Sequence, residues 1–379
     1  FLVRSGVLSS VHAFASDPQR GLYILALLTL AIGASLALFA WRAPRLAAIP
    51  AFSWLSRESL LLLNNLFLLV SAATILLGTL YPMLLEALHL GSISVGPPYF
   101  ETVFVPLMAP LLTLAAAAPF TTWRQTAPAR LWLQLRWPLL AALGLGLLLS
   151  LSTLHSMQAA LGLCLGLWVL LGTLWHAGHA LKPGPGASLL QAWHRTPRAT
   201  VGMWTAHLGL AVFVLGVSLV RTLEYSQDLR LNVGRSATVG DYQFRLAGLT
   251  RRDGPNYLAA RADIEVRPAR DPQAKPVLLH PEKRFFPVQA MPMTEAGIDR
   301  GFSRDLYVSL AELGADQSWG MRIQVKPFMS WLWCGVLLMA LGGFVAAADR
   351  RLRLAGRTQA CAQQAQGLPL ALSPQGARA

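Results

Sequence analysis

The run VGMWTAHLGLAVFVLGVSLV (residues 201–220) decides the fold of this chain. Among its twenty residues, His207 is the only ionisable side chain. A run of about 20 apolar residues is long enough to cross the hydrocarbon core of a bilayer as a helix. We therefore predict a transmembrane helix here and interpret the rest of the chain outward from it.

Comparable runs occur through most of the sequence, which is 54% hydrophobic and only 13% charged over 379 residues. Soluble domains carry about a quarter charged residues, so a membrane explains this composition better. The runs predict a polytopic α-helical membrane protein with about seven transmembrane helices, at residues 22–41, 60–85, 103–120, 138–154, 157–178, 201–220 and 331–348. Only the short link 154–156 separates the fourth helix from the fifth, and a re-entrant hairpin is the alternative there.

The formal net charge of +14 does not indicate nucleic-acid binding, because the basic residues cluster in short loops and not among stacking aromatics. Short loops rich and poor in Lys and Arg alternate: 42–59, 121–137, 179–200 and the tail after 348 contain them, and 86–102 and 155–156 do not. This alternation follows the positive-inside rule. It predicts an outside N-terminus, a cytoplasmic C-terminus and an outside location for segment 221–330.

Segment 221–330 has a different pattern. Alternating or β-branched residues, with Gly and Asp between them, predict strands at 230–233, 242–246, 262–266 and 321–325. We expect a small antiparallel β-domain, with a partly open barrel as the favoured form. The predicted organisation is an outside interfacial segment at 1–20, transmembrane helices one to six at 21–220, the β-domain at 221–330, a seventh helix at 331–349 and a basic, disordered cytoplasmic tail at 350–379.

Several motifs are missing from the sequence. Its three cysteines, Cys164, Cys334 and Cys361, form no Cys-x-x-Cys pair, which excludes zinc ribbons, dithiol redox chemistry and covalent c-type haem attachment to this chain. A Gly-rich phosphate loop and a His-Glu-x-x-His pair are also absent. We identify no residue as a catalytic acid, base or nucleophile.

His207 is the clearest candidate binding residue, because ionisable side chains inside a membrane are costly and by default functional. It lies about two turns, roughly 10 Å, into the sixth predicted helix, in its cytoplasmic half. A neutral imidazole there can ligate haem iron. Gly202 and Gly209 would let a flat ring or another helix approach closely. A histidine hydrogen-bonded to a neighbouring helix is the alternative.

The other histidines are weaker candidates. His12 lies on an apolar stretch suited to the membrane surface, where it either holds haem arriving from outside or is an ordinary surface histidine. His176 and His179 share a helix face and form either a metal pair or a favourable contact with the helix dipole. We assign no role to the remaining histidines, which are His89, His155, His194 and His280.

The outer loop GSISVGPPYFE (residues 91–101) contains tandem prolines, which predict a stiff, turn-rich connection. With Tyr99 and Phe100 it offers an aromatic floor above the membrane. The alternative is a plain interhelical connection with interfacial aromatics.

Many unusual strings occur in order along the chain: FLVRSGVLSSVHAFA (1–15), SRES (56–59), GTLYP (78–82), GPPYF (96–100), VPLM (105–108), AHLG (206–209), GPNY (254–257), LHPEKR (279–284), MTEAGID (293–299) and KPF (326–328). Together they resemble the CcmF family, the haem lyase components of cytochrome c maturation. The resemblance covers nearly all of the chain up to about Arg353. It implies the C-terminal portion of such a protein, in the bacterial inner membrane, with the β-domain in the periplasm.

The resemblance also implies an activity, in which haem from a periplasmic haem chaperone is positioned for thioether attachment to the Cys-x-x-Cys-His motif of apocytochrome c. It implies that His12 is an axial ligand of the transient haem substrate and His207 an axial ligand of a stable b-type haem, so that both bind metal through haem iron only. The second histidine of each site is expected upstream of this chain.

The implied partners are the N-terminal portion of the same protein, the haem chaperone, and apocytochrome c with its thiol-handling and chaperone subunits. Membrane lipid is the implied surroundings, and nucleic acid is not expected. Two other functions stay open: a haem transporter or channel subunit, and a membrane scaffold that docks maturation partners. Transporters commonly show repeat symmetry and a polar pathway, whereas the runs here contain few polar groups beyond Asn64, Asn65 and His207.

Overall fold

The structure of this chain is a computed structural model that describes residues 18–45, 52–87, 90–91, 93, 95–154, 156–184, 188–287, 291–314 and 318–349. The chain divides into two compact units, Phe1–Gln134 and Leu135–Ala379, and each is taken by itself. His12 and the tail at 350–379 lie outside the described residues.

In the first unit the described residues form three long helices, α1 (Pro18–Arg42), α2 (Arg57–Ala87) and α3 (Pro97–Ala117), with short 3-10 turns at Ala43–Arg45 and Ala118–Phe120. Helices α2 and α3 pack together at Tyr99. Its hydroxyl donates to the carbonyl of Thr74 at 3.1 Å, and its ring lies against Gly78. The tandem prolines begin α3, because the first positions of a helix need no N–H donor. Tyr99 is therefore packed between helices and does not form an open aromatic floor.

Two residues at the start of α2 form hydrogen bonds with the turn that follows α3. The Arg57 guanidinium donates to the carbonyl of Thr121 at 2.8 Å. The Glu58 carboxylate accepts the backbone N–H of Arg124 at 2.9 Å. Arg124 has a positive φ of 67°, which is uncommon for a residue with a side chain. The string SRES (56–59) thus stabilises a tight turn.

The remaining helices are α4 (Pro128–Leu149), α5 (Met157–Ala180), the short α6 (Leu189–Arg195), α7 (Arg198–Leu223) and α8 (Met329–Ala347). A π-helical turn at Ser150–Leu154 ends α4. Helix α4 begins at Pro128 and not at 138 as predicted, so Arg130 and Arg136 are helical. Pro138 lies inside it, which membrane helices tolerate.

Within the residues that the structure describes, six helices are long and apolar enough to cross a membrane: Arg57–Pro82, Pro98–Phe120, Pro128–Ser152, Ala159–Ala180, Arg198–Leu223 and Met329–Ala347. Within α1, Ala26–Arg42 is a shorter apolar helix. Large apolar side chains cover these helices; in α8, for example, Leu337 is 69% exposed and Phe344 is 77% exposed. Such a surface suits lipid and would associate in water, so the membrane interpretation agrees with the structure.

The described residues of the predicted β-domain form ten strands: β1 (Tyr225–Leu231), β2 (Ser236–Val239), β3 (Tyr242–Asp253), β4 (Leu258–Pro268), β5 (Val277–Leu279), β6 (Glu282–Phe286), β7 (Met291–Glu295), β8 (Gly297–Arg300), β9 (Arg304–Leu313) and β10 (Trp319–Pro327). Their order is β1-β10-β9-β8 in one sheet and β2-β3-β4-β6-β7 in the other, with β5 beside β4. Every described pair is antiparallel.

The two sheets pack face to face as a sandwich, and the partly open barrel that we favoured is wrong. Alternate residues of both sheets point into one core, which contains Phe244, Leu246, Ile264, Leu306 and Ile323. The strand predicted at 230–233 is only the end of β1, because β1 stops at Leu231 before a turn.

Both ends of the sandwich join helices of the same unit. Glu224 follows α7, and its carboxylate lies 3.4 Å from the Lys326 ammonium near the end of β10. Phe328 then turns the chain into α8 with a left-handed φ of 59°. Its N–H donates to the carbonyl of Ser303 at 2.9 Å. The first residues of β1 and the last residues of β10 therefore lie at the helix end of the sandwich.

Candidate functional site

His207 is the tenth residue of α7, nine residues after Arg198. Its Nδ1 is buried and has no hydrogen-bond partner within the part of the chain that the structure describes. A buried polar nitrogen without a partner costs free energy. The atom is therefore a candidate to bind a group that the described residues do not supply.

Trp204 and His176 lie beside His207, in the interface of α5 and α7. The indole N–H of Trp204 donates to Nδ1 of His176 at 2.9 Å. Trp204 is only 5% exposed, so this polar contact lies within the helix packing. We call these three residues the imidazole cluster.

The opposite side of α7 is occupied by α8. A Cβ at Gly202 would lie 2.5 Å from the carbonyl oxygen of Gly342, and one at Gly209 would lie 2.6 Å from that of Gly335. Of the two alternatives for Gly202 and Gly209, another helix and not a flat ring approaches them. With 3.6 residues per turn, His207 points well away from both glycines and toward the side that carries Trp204.

The other histidines His176, His179 and His280 lie in different surroundings and do not form one site. Nδ1 of His179 lies 2.9 Å from the carbonyl of Trp175 in its own helix, so His179 and His176 do not converge. His280, in the β-domain, lies 2.8 Å from the Asp263 carboxylate. No group of three or more metal-ligating side chains occurs among the described residues.

The sequence therefore pointed to His207 but missed the pairing of Trp204 with His176. The spacing of Trp204 and His207, three residues apart on one helix, placed them on one face. The contact with His176 depends on how α5 docks against α7, and no local pattern specifies that.

Comparison with known families and proteins gives consistent matches. Residues 222–327 match a family model described as the CcmF C-terminal beta-sandwich. Cytochrome c-type biogenesis protein CcmF of Pseudomonas aeruginosa is 45% identical over 368 residues, which are 95% of this chain and 54% of that protein. CcmF of Haemophilus influenzae is 40% identical over 359 residues, covering 93% of this chain and 54% of that protein. The chain thus spans about half the length of the curated relatives it matches.

A solved structure, Cytochrome c Heme Lyase CcmF, shares the fold with a TM-score of 0.67 at 23% sequence identity. The match covers 89% of this chain and 52% of that one. Helices and sandwich together therefore follow a known architecture.

Proposed function

This chain belongs to the CcmF family, and from that premise we propose that it is the part of a cytochrome c haem lyase that holds a membrane haem and presents a periplasmic β-sandwich. The whole activity would be the transfer of haem from a periplasmic haem chaperone to the Cys-x-x-Cys-His motif of apocytochrome c. Because the chain spans about half of its relatives, that activity would need the portion it does not span.

The observation that carries this proposal is the buried Nδ1 of His207, which has no partner among the described residues. The donor chemistry fits haem, since a neutral imidazole is a common axial ligand of haem iron. A b-type haem bound there would supply one-electron redox chemistry, which would keep the haem substrate ferrous while its vinyl groups react with thiols.

The protein's own task at this site is to hold the imidazole in place. Close packing of α7 on α8 through Gly202 and Gly209 fixes the helix that carries His207. The Trp204–His176 hydrogen bond fixes the facing helix. Together these contacts fix the helix that carries His207 and the helix that faces it, and so fix the position from which the imidazole projects.

The remaining parts of the proposal rest on the family resemblance and on charge. His12 would be an axial ligand of the transient haem on the outer face. The alternation of basic loops supports an inner-membrane topology with the sandwich in the periplasm. The haem chaperone, apocytochrome c and its thiol-handling subunits would meet the protein on that side.

The test is an absorption spectrum of the chain co-purified with the remaining portion of its family protein. We expect a reducible b-type signal that is lost in His207→Ala and partly restored by added imidazole. His179→Ala is the matched control, because His179 also lies in a membrane helix but contacts its own helix backbone.

Retention of the full signal in a folded His207→Ala variant would contradict the ligand assignment. A wild-type assembly without haem would contradict the whole proposal and favour a scaffold.

A further inference from the structure

One end of the β-sandwich has a concave surface formed by described residues of β3, β4, β6 and β10. A cleft of about 430 Å³ lies there between the two sheets, with β3, β4 and β6 as its floor and Trp319 of β10 as its wall. Trp319 and Leu249 are partly buried residues at the edge of the core. The inner face of the larger sheet thus extends beyond the part that the smaller sheet covers.

The cleft lies at the end of the domain far from the helices. Strand β10 runs from Trp319 to Pro327, directly before α8. At about 3.3 Å per residue, Trp319 lies roughly 25 Å from the helix end of the strand. A ligand of this cleft would therefore come from solution and not from lipid.

The strand register places two cationic side chains in the cleft. Arg251 pairs with Ala260, and Ala260 pairs with Lys283, so the three side chains lie in one row on one face. With neighbouring strands about 4.8 Å apart, the two cations flank the small alanine at a separation of roughly 10 Å. That gap is wide enough for a carboxylate to lie over Ala260 between them.

The next row on the same face is apolar. Leu258 and Phe285 are directly paired, and they are 38% and 44% exposed. Together with Trp319 and Leu249 they form an apolar surface beside the two cations. Exposed large apolar side chains gathered in a concave site favour ligand burial.

The two cations are only weakly neutralised by the protein. The Lys283 ammonium donates to the uncharged Thr294 hydroxyl at 2.9 Å. The Arg251 guanidinium lies 3.5 Å from Asp253, and both of these side chains are more than 70% exposed, where an ion pair contributes little. Among the described residues, those that line the cleft include no carboxylate. The cleft is thus complementary to an acidic group attached to an apolar one.

We propose that this cleft binds an apolar segment of a soluble partner protein, with an acidic side chain of that segment held between Arg251 and Lys283. Large side chains of the segment would pack on Leu258, Phe285 and Trp319. The inference depends on the folded sandwich alone and is independent of haem binding at His207.

The test uses the full chain in lipid nanodiscs and a dye-labelled decapeptide that contains a leucine–phenylalanine pair followed by a glutamate. Fluorescence anisotropy measures binding, and empty nanodiscs correct for partitioning into lipid. We expect saturable binding that weakens about tenfold when the glutamate of the peptide is replaced by glutamine, as loss of a charge-assisted contact predicts. Lys283→Glu should weaken it at least as much.

Arg235→Glu is the matched control, because Arg235 is an exposed cation of the same domain that does not line the cleft. If Lys283→Glu does not fold, Lys283→Gln replaces it. The proposal fails if binding is not saturable, if the glutamine peptide binds equally well, or if Arg235→Glu weakens binding as much as Lys283→Glu. Self-association in sedimentation that is lost in Lys283→Glu would assign the cleft to a second copy of the chain and also overturn it.

Discussion

Trp204 of α7 donates its indole N–H to Nδ1 of His176 on α5 at 2.9 Å. Because Nδ1 accepts this hydrogen bond, the neutral His176 ring must carry its proton on Nε2. One contact therefore joins two membrane helices and fixes the tautomer of a histidine beside His207. A hydrogen bond is strongest in such low-dielectric surroundings, and a missing partner is correspondingly costly.

Trp204→Phe should destabilise the helical part of the chain by about 1–3 kcal/mol, because it leaves a buried acceptor on His176 without its donor. Thermal unfolding in detergent measures the loss. Replacing both partners, Trp204→Phe with His176→Leu, should recover part of it, since no polar atom is then left unpaired. Trp333→Phe is the control, because Trp333 is 65% exposed, and equal losses in the two single variants would contradict the prediction.

Two neighbouring glycines of α8 differ in the space around them, so the effects of replacing each by alanine can be compared. A Cβ at Gly342 would lie 2.5 Å from the carbonyl oxygen of Gly202, whereas one at Gly343 would meet nothing within 4 Å. We expect Gly342→Ala to cost about 1–3 kcal/mol because backbone must move. Gly343→Ala should be neutral or stabilising by up to about 1 kcal/mol.

The free energy of unfolding of both glycine variants would be measured in mixed micelles that contain an increasing proportion of denaturing detergent. If they behave alike, α7 and α8 do not pack at Gly202 and Gly342 as closely as the structure indicates.

Six of the seven predicted helices could be recognised from sequence because each of those apolar runs is long enough to cross a bilayer, whereas the apolar part of α1, Ala26–Arg42, is shorter. The start of α4 could not, since Pro138 and Arg136 mark a helix boundary in water but are tolerated inside a membrane helix. The sandwich was predicted as a β-domain but not as two sheets. Which strands share a sheet depends on pairings between distant residues, such as Tyr225 with Val325.

Several strings that carried the family resemblance turn out to stabilise the fold. Gly78 accommodates the Tyr99 ring, and Arg57 holds the turn after α3. In the β-domain, the string LHPEKR (279–284) supplies a buried carboxylate and its guanidinium partner. Such strings identify a family without identifying its functional site, which is why the imidazole cluster needed the structure.

Glu282 of that string is 4% exposed and pairs with Arg284 at 2.8 Å and with Arg252 at 3.5 Å. Glu282→Gln should destabilise the sandwich by about 2 kcal/mol. The loss is smaller than the roughly 3–5 kcal/mol expected when one partner of a fully buried ion pair is removed, because Arg252 remains largely hydrated. Near-ultraviolet circular dichroism during heating would follow the loss. Glu312→Gln, an exposed residue of β9, should have little effect, and a similar loss there would argue against a specific pair.

The last prediction concerns Asp228 and Arg322, which face each other across β1 and β10 with oxygen–nitrogen distances of 2.7 and 2.8 Å. The hydrogen bonds from Arg322 lower the pKa of the Asp228 carboxyl below its ordinary value of 3.8. A lowered carboxyl pKa contributes stability that is present above the ordinary value and is lost as the pH falls through the native one.

The melting temperature of the wild type should therefore fall more steeply between about pH 5 and pH 3 than that of Asp228→Asn, which has no carboxyl to protonate. Because both side chains are more than half exposed, high salt should reduce the difference. Parallel pH profiles at low salt would mean that the pair does not hold β1 against β10, and that the main-chain ladder alone keeps this edge strand in place.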